Sequence, residues 1–293
     1  MLIHRHGSPV PPARVAILGA RGFIARALAS RLARRGVPTL PISSARIDLA
    51  SPAAGRSLAA LLDPADVVVM TAALTPDKGQ DAGTLMRNLA MGEAVAQAIA
   101  ARPGAQLVYL SSDAVYDWRQ PLISEQVAPS PTSLYSSMHL TREQVLTAAA
   151  AAARVPCCLL RPCAVYGPGD THQGYGPNRF VRTALADGVI ELFGEGEEQR
   201  DHVYIEDVAA AIEAAILHRS EGTLNVVSGR SVSFAEVARS VAALAARPVA
   251  IRHRDRRGPV THRHFDPTAL WRAFPDFRPT DLAAGLRLAV SAP

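Results

Sequence analysis

The feature that most constrains this chain is a short apolar strand, Arg14 to Leu18, running directly into Gly19-Ala20-Arg21-Gly22-Phe23-Ile24-Ala25. A glycine-rich turn between a first strand and a first helix opens backbone N–H groups, and the positive end of the helix, to a pyrophosphate. Gly19 lets the chain turn and Gly22 lets the backbone approach the phosphates. Ala25 holds the third position, where it still permits close helix–strand packing. Ile24, Leu28 and Leu32 then recur at helical spacing, and Gly36 closes the helix. Further strands are expected at Thr39 to Ile42, Asp66 to Thr71, Gln106 to Ser111 and Val155 to Leu160. Long helices are expected at Thr84 to Ala101 and Ser133 to Ala153. The valine run from Asp66 suits a parallel sheet covered on both faces. Strand and helix in alternation imply a doubly wound parallel sheet with right-handed crossovers. Past Tyr166 the rhythm breaks, and glycines and prolines cluster between Gly167 and Pro177.

The expectation is therefore an α/β chain with a Rossmann-type dinucleotide domain over residues 13–166. A small C-terminal α/β substrate lobe over 167–293 interleaves with it. The 293 residues carry Lys+Arg 31 against Asp+Glu 26, a net charge of +5 that is nearly all arginine. A nucleic-acid surface would concentrate such charge in one stripe. The only dense run, Arg252-His253-Arg254-Asp255-Arg256-Arg257, reads as a solvated or phosphate-facing loop. Cys157, Cys158 and Cys163 lie in or beside one expected strand, too close for a disulfide framework, and are read as small buried apolar residues. His253, His262 and His264 stand among arginines that would repel a cation, so no metal is expected. Met1 to Pro12 is polar and proline-rich without the apolar core of a signal peptide, and is read as a loose lead-in. No apolar run reaches membrane-spanning length. A cytoplasmic protein that binds neither nucleic acid nor membrane is expected.

The residues after the second strand select between the two nicotinamide cofactors. An acid there would hold a ribose 2′-OH, whereas cations and hydroxyls accept a 2′-phosphate. The chain offers Ser43, Ser44 and Arg46, with no acid before Asp48, and Arg21 projects from the glycine turn. These residues favour NADP, with NAD possible, and place Asp48 and Leu49 beside the adenine. Further on, Tyr135 and His139 are one helical turn apart and share a face. A cation at the second position would favour tyrosinate and prepare the phenol to exchange a proton with a carbonyl oxygen. Histidine near neutrality is charged only in part.

With these residues the chain resembles the extended short-chain dehydrogenase/reductases that act on sugar nucleotides: epimerases, dehydratases and 4-keto-sugar reductases. Gly19 to Ala25 resembles their G-x-x-G-F-I-G. Thr71-Ala72-Ala73 matches the strand end that meets the cofactor ribose, and Asn88 the asparagine of the following helix. Ser111-Ser112-Asp113-Ala114-Val115-Tyr116-Asp117 matches the fourth-strand signature. Arg161 to Gly169, with Cys163 and Val165, matches the segment passing the nicotinamide. Gly194 to Asp207 is similar to G-D-G-x-Q-x-R-D-F-V-Y-V-x-D.

The resemblance implies hydride transfer on a nucleotide-linked sugar or keto-sugar, by an epimerase or a 4-ketoreductase. Tyr135 would be the general acid/base, Ser112 its hydroxyl partner, and His139 and Asp113 the assisting residues. Asn178, Phe180, Arg200, His202 and Arg257 would meet the substrate. It implies a homodimer through the two long helices. Two departures stand out. The family's lysine, which lowers the tyrosine pKa and bonds the ribose, is His139. The glutamate that dehydratases carry after the aspartate is Ala114, leaving water elimination without its acid–base pair unless Glu125 compensates. Loss of the lysine also admits a second reading, a non-catalytic or weakly active dinucleotide-binding regulatory protein. Retention of both Ser112 and Tyr135 argues for an enzyme.

Overall fold

Residues 2–170, 174–256 and 258–291 are described by a computed structural model. In chain order they form β1 (Ile3–His4), β2 (Arg14–Leu18), α1 (Phe23–Arg34), β3 (Thr39–Ile42), α2 (Ala54–Ala59), β4 (Asp66–Met70), α3 (Ala82–Ala101), β5 (Gln106–Leu110) and α4 (Leu134–Ala152). There follow β6 (Cys157–Pro162), β7 (Ala164–Tyr166), α5 (Pro177–Asp187), β8 (Val189–Phe193), β9 (Gln199–Tyr204), α6 (Ile205–Leu217) and β10 (Ser220–Val226). The chain ends in β11 (Ser231–Ser233), α7 (Phe234–Leu244), β12 (Ala250–Arg254), α8 (Thr268–Ala273) and α9 (Leu282–Ser291).

The main sheet runs β1-β10-β6-β5-β4-β2-β3 and is parallel except for β1. Alternation along each strand explains its two cores. Val15, Ile17, Val67 and Val69 face α1 and α6, whereas Ala16, Leu18, Val68 and Met70 face α2, α3 and α4. The topology is the doubly wound, Rossmann-type arrangement the strand–helix alternation implied. Residues 205–226, however, return to this sheet: α6 packs beside α1 and β10 pairs with β6. The second lobe is a three-stranded sheet, β11-β9-β7, and the pair β12-β8. Both rest on α5, α7 and α9 around Phe180, Phe234 and Leu286.

Two expectations fail locally. The N-terminal segment is not a loose lead-in: β1 pairs antiparallel with β10, and the amides of Arg5 and His6 donate to the His218 carbonyl at 3.1 and 3.0 Å. It covers a sheet edge that would otherwise present unpaired backbone groups. The fifth expected strand starts at Cys157, not Val155. Arg154 turns left-handed at φ 56°, and the Val155 amide still closes onto Ala150 at the end of α4. All three cysteines are buried and free.

Candidate active site

At the C-terminal end of β2, Gly19 adopts φ +86°, and a Cβ there would lie 2.8 Å from the Ala72 Cα. Only glycine fits this approach. Gly22 caps α1 without a side-chain bond, leaving the first-turn amides of the helix free of side-chain capping. Thr71, at the end of β4, donates its hydroxyl to the Leu18 carbonyl at 2.8 Å and ties the two strand ends together.

Helix α4 begins through a reciprocal capping box between Ser133 and Ser136. That start puts Tyr135 in the first turn and His139 directly behind it. Their rings meet edge-on with centroids 4.7 Å apart. Tyr135, Ser112 and His139 line one cleft of about 370 Å³ with Gly22, Cys163 and Val165. Ser112 accepts the Ala114 amide at 3.1 Å and supports the ionised form of Tyr135. Burial pushes the Tyr135 phenol up to about 12 and Asp113 adds to the rise, while Ser112 and Arg142 oppose it. His139 is 2% exposed, and its Nδ1 lies 2.7 Å from the Tyr109 hydroxyl. Burial first, and the Arg142 charge second, push its imidazole down to about 3. The partly charged histidine expected beside Tyr135 is therefore a neutral one.

Residues 15–227 match the model of the NAD dependent epimerase/dehydratase family. The chain belongs to that family. A dTDP-L-rhamnose 4-epimerase of Burkholderia thailandensis is 37% identical over 128 residues, which cover 42% of this chain and 35% of that protein. The chain thus spans about a third of that relative's length. Among solved structures, MoeE5 in complex with UDP-glucose and NAD is 26% identical with a TM-score of 0.82, covering 94% of this chain and 97% of that one. UDP-glucose 4-epimerase of Thermus thermophilus with NAD, at 23% identity, superposes with a TM-score of 0.82 over 94% of this chain and 97% of its own. RMD of Pseudomonas aeruginosa with NADPH does so at 24% identity and 0.80, over 95% and 98%.

The family's nicotinamide dinucleotide fits the cleft on three grounds. The Gly19 approach leaves no room for a side chain, and the start of α1 is uncapped. Two buried polar atoms of cleft-lining residues, Ser111 Oγ and His139 Nε2, have no partner among the described residues. Buried orphans of this kind are costly unless a ligand completes them. Phe23, Ile24 and Ala73 also line the cleft. Arg21 is exposed in the β2–α1 turn, and beyond the end of β3 Ser44 and Arg46 are exposed and Ser43 half-buried.

Several expected site residues are engaged elsewhere. Asn88 is buried, exchanging two hydrogen bonds of 2.9 Å with the Leu74 backbone, so it shapes the loop after β4. Arg161 is closed off, donating two hydrogen bonds to the Glu143 carboxylate (2.8 and 2.5 Å) and one to the Tyr116 hydroxyl at 2.7 Å. Leu49 is 6% exposed, its side chain inside the second core. Asp48 caps the Ala50 amide at 3.0 Å. Asn178 lines the cleft, yet its amide accepts from Gly167 and donates to Asp170, holding the loop between them. Phe180 is 1% exposed in the core of the second lobe. Arg200 donates to the Thr261 carbonyl and hydroxyl, both at 2.7 Å, apart from the cleft lining. His202 is 4% exposed among Tyr166 and Phe234 and is not part of the cleft lining. Glu125 accepts the Asn225 amide at 2.7 Å and supplies no missing acid. Arg257 lies outside the described residues.

Four residues escaped sequence reasoning. Arg263 holds the Asp113 carboxylate at 2.7 Å, so Asp113 enters the site as half of an ion pair. Lys78, the chain's only lysine, lines the cleft, a fact its rarity could have flagged. Tyr109 and Arg142 stand behind His139. Only the spacing of Tyr135, His139 and Arg142 along one helix face hinted at the last.

Proposed function

We propose that the protein is an NAD(P)-dependent oxidoreductase or epimerase acting on a nucleotide-linked sugar or keto-sugar. The observation that carries this reading is the meeting of Tyr135, Ser112 and His139 with the β2–α1 glycine turn in one cleft. The dinucleotide would supply two-electron redox chemistry at its nicotinamide ring. Tyr135 would exchange a proton with the sugar oxygen at the reacting carbon, and the Ser112 hydroxyl would hold that oxygen. With its pKa pushed up to about 12, the phenol is protonated at neutral pH. That favours proton donation, the sense needed for reduction of a keto-sugar. Gly19, Gly22 and the first turn of α1 would take the pyrophosphate, and His139 Nε2 and Thr71 would flank the nicotinamide ribose. The exposed Arg21, Ser44 and Arg46 support a 2′-phosphate and hence NADP. The outer face of α3 and α4 exposes Met86 at 63% and Val145 at 38%, which supports a homodimer through these helices.

One observation favours the rival reading of a weakly active or non-catalytic binder: the neutral His139 brings no charge to Tyr135. Titration with NADPH and NADH, then addition of a panel of nucleotide keto-sugars, separates the readings. Consumption of NADPH establishes a reductase; interconversion of sugars without consumption, an epimerase. Tight binding with neither supports the regulatory binder. Sedimentation equilibrium tests the dimer.

A further inference from the structure

Arg142 lies three residues after His139 and seven after Tyr135, on the same inner face of α4, and is 1% exposed. Its guanidinium donates to the Asn88 carbonyl (2.7 Å), the Ala72 carbonyl (2.9 Å) and Asn88 Oδ1 (3.2 Å). Every one of these acceptors is neutral. The adjacent Glu143 is bound by Arg161. A buried cation without a carboxylate is expensive, yet room has been made for this one. A Cβ on Gly92 of α3 would lie 2.9 Å from the Arg142 Cγ.

Arg142 follows His139 by three residues on the same buried helix face, and its charge favours an oxygen-outward Tyr109 hydroxyl. Arginine carries donors only. A hydroxyl beside it turns its oxygen to the cation and its proton away, and the acceptor waiting 2.7 Å off is His139 Nδ1. Nδ1 then holds no proton, and the one proton of a neutral imidazole sits on Nε2. Nε2 is one of the two buried atoms of cleft-lining residues without a partner among the described residues.

We propose that Arg142, Tyr109 and His139 divide between them the two tasks for which a single lysine is missing. Arg142 is a positioning residue that supplies the fixed positive charge behind Tyr135. Tyr109, oriented by Arg142, locks His139 as an Nε2–H donor to a ribose hydroxyl of the nicotinamide cofactor. The inference rests on the proposed cofactor site, and it assigns the charge and the hydrogen bond to different side chains. The other groups acting on Tyr135 are Ser112, Asp113 and Asp77, with His139 against its ring and Lys78 on the same cleft wall.

The first test uses the native chain. In protein labelled with ¹⁵N-histidine, with His139 assigned by loss of its signal in His139→Phe, the shifts should show a neutral ring protonated at Nε2 from pH 5 to 8. A proton on Nδ1, or an imidazolium at pH 6, overturns the proposal. The second test is NADPH binding by fluorescence. His139→Phe should weaken it about tenfold, the worth of one good hydrogen bond. Unchanged affinity counts against the donor role.

The third test separates charge from packing. In Arg142→Met the ¹⁵N shifts of His139 should no longer show a single Nε2-protonated ring at pH 7, because the group that orients Tyr109 is gone. Arg142→Lys should restore it. Shifts that ignore both substitutions remove Arg142 from the mechanism. If Arg142→Met does not fold, Arg142→Lys and the histidine shifts still decide. No readout uses a sugar, so a wrong substrate assignment would leave all three intact, while a wrong relay would fail here with the sugar chemistry unaffected.

Discussion

His139 and His202 are near twins by environment and opposites by use. Each is at least 96% buried, at 2% and 4% exposure, and each is pushed down to about 3 by burial and by a neighbouring arginine, Arg142 or Arg200. His139 has one ring nitrogen satisfied by Tyr109 and presents the other at the cleft. His202 has neither nitrogen satisfied and is boxed by Tyr166 and Phe234. A buried polar group earns its place only when something completes it. At His139 the cofactor can do so; at His202 nothing in the aromatic box can.

The sharpest way to break this comparison is to restore the family's residue. His139→Lys would put a second cation beside Arg142, whose hydrogen-bond partners are all neutral. An uncompensated buried charge costs about 3–5 kcal/mol. Urea unfolding should show a loss of that order, and activity should fall rather than rise. Adding Arg142→Ala should recover more than half of the lost stability, because one cation then remains where two had clashed. A double mutant no better than the single would show that positions 139 and 142 are not coupled.

Acid exposes what the two histidines share. Unfolded, each takes up a proton as the pH falls through its ordinary value of 6.5; folded, each resists until about 3. Their depressed folded pKa values mean that stability is full above 6.5 and drains away as the pH falls toward 3. The slope is about 1.4 kcal/mol per pH unit for each histidine. Between pH 6.5 and 5 each should cost about 2 kcal/mol by the same relation. His202→Phe should remove one of the two contributions, so its advantage over the native chain should widen by that amount across the interval. Parallel pH curves for the two proteins would mean His202 is not held neutral.

What the sequence made legible follows from what each residue depends on. The turn from Gly19 to Ala25, the strands and the long helices depend on local periodicity, and the structure reproduces them to within a residue or two. Tyr135 and Ser112 were singled out through the family resemblance, and the structure brings both to one cleft. Asn88, Arg161 and Phe180 occupy the matching motif positions, but their side chains turn into the protein. Direction of that kind is set by partners such as Leu74 and Glu143, distant in sequence. Arg142 was hidden for the reverse reason. A helical arginine is ordinarily solvated, and nothing local announces that Gly92, fifty residues earlier, clears a space for it.

The smallest expected effect is the most direct test of the comparison. Above pH 7 neither histidine is charged, so His202→Phe changes only packing and polarity. It removes two buried nitrogens without hydrogen bonds, each a desolvation cost left unreturned. It also keeps an aromatic ring against Tyr166 and Phe234, whose centroids lie 6.4 and 5.9 Å away. The opposing cost is the added bulk of phenylalanine, limited by the Gly176 backbone, whose ideal Cβ position is 3.9 Å from the ring. The balance should be a gain of about 1 kcal/mol, with NADPH affinity unchanged because His202 is not part of the cleft lining. A loss of stability would mean that the ring nitrogens are satisfied by water or substrate. A loss of affinity would move His202 to the functional side of the comparison.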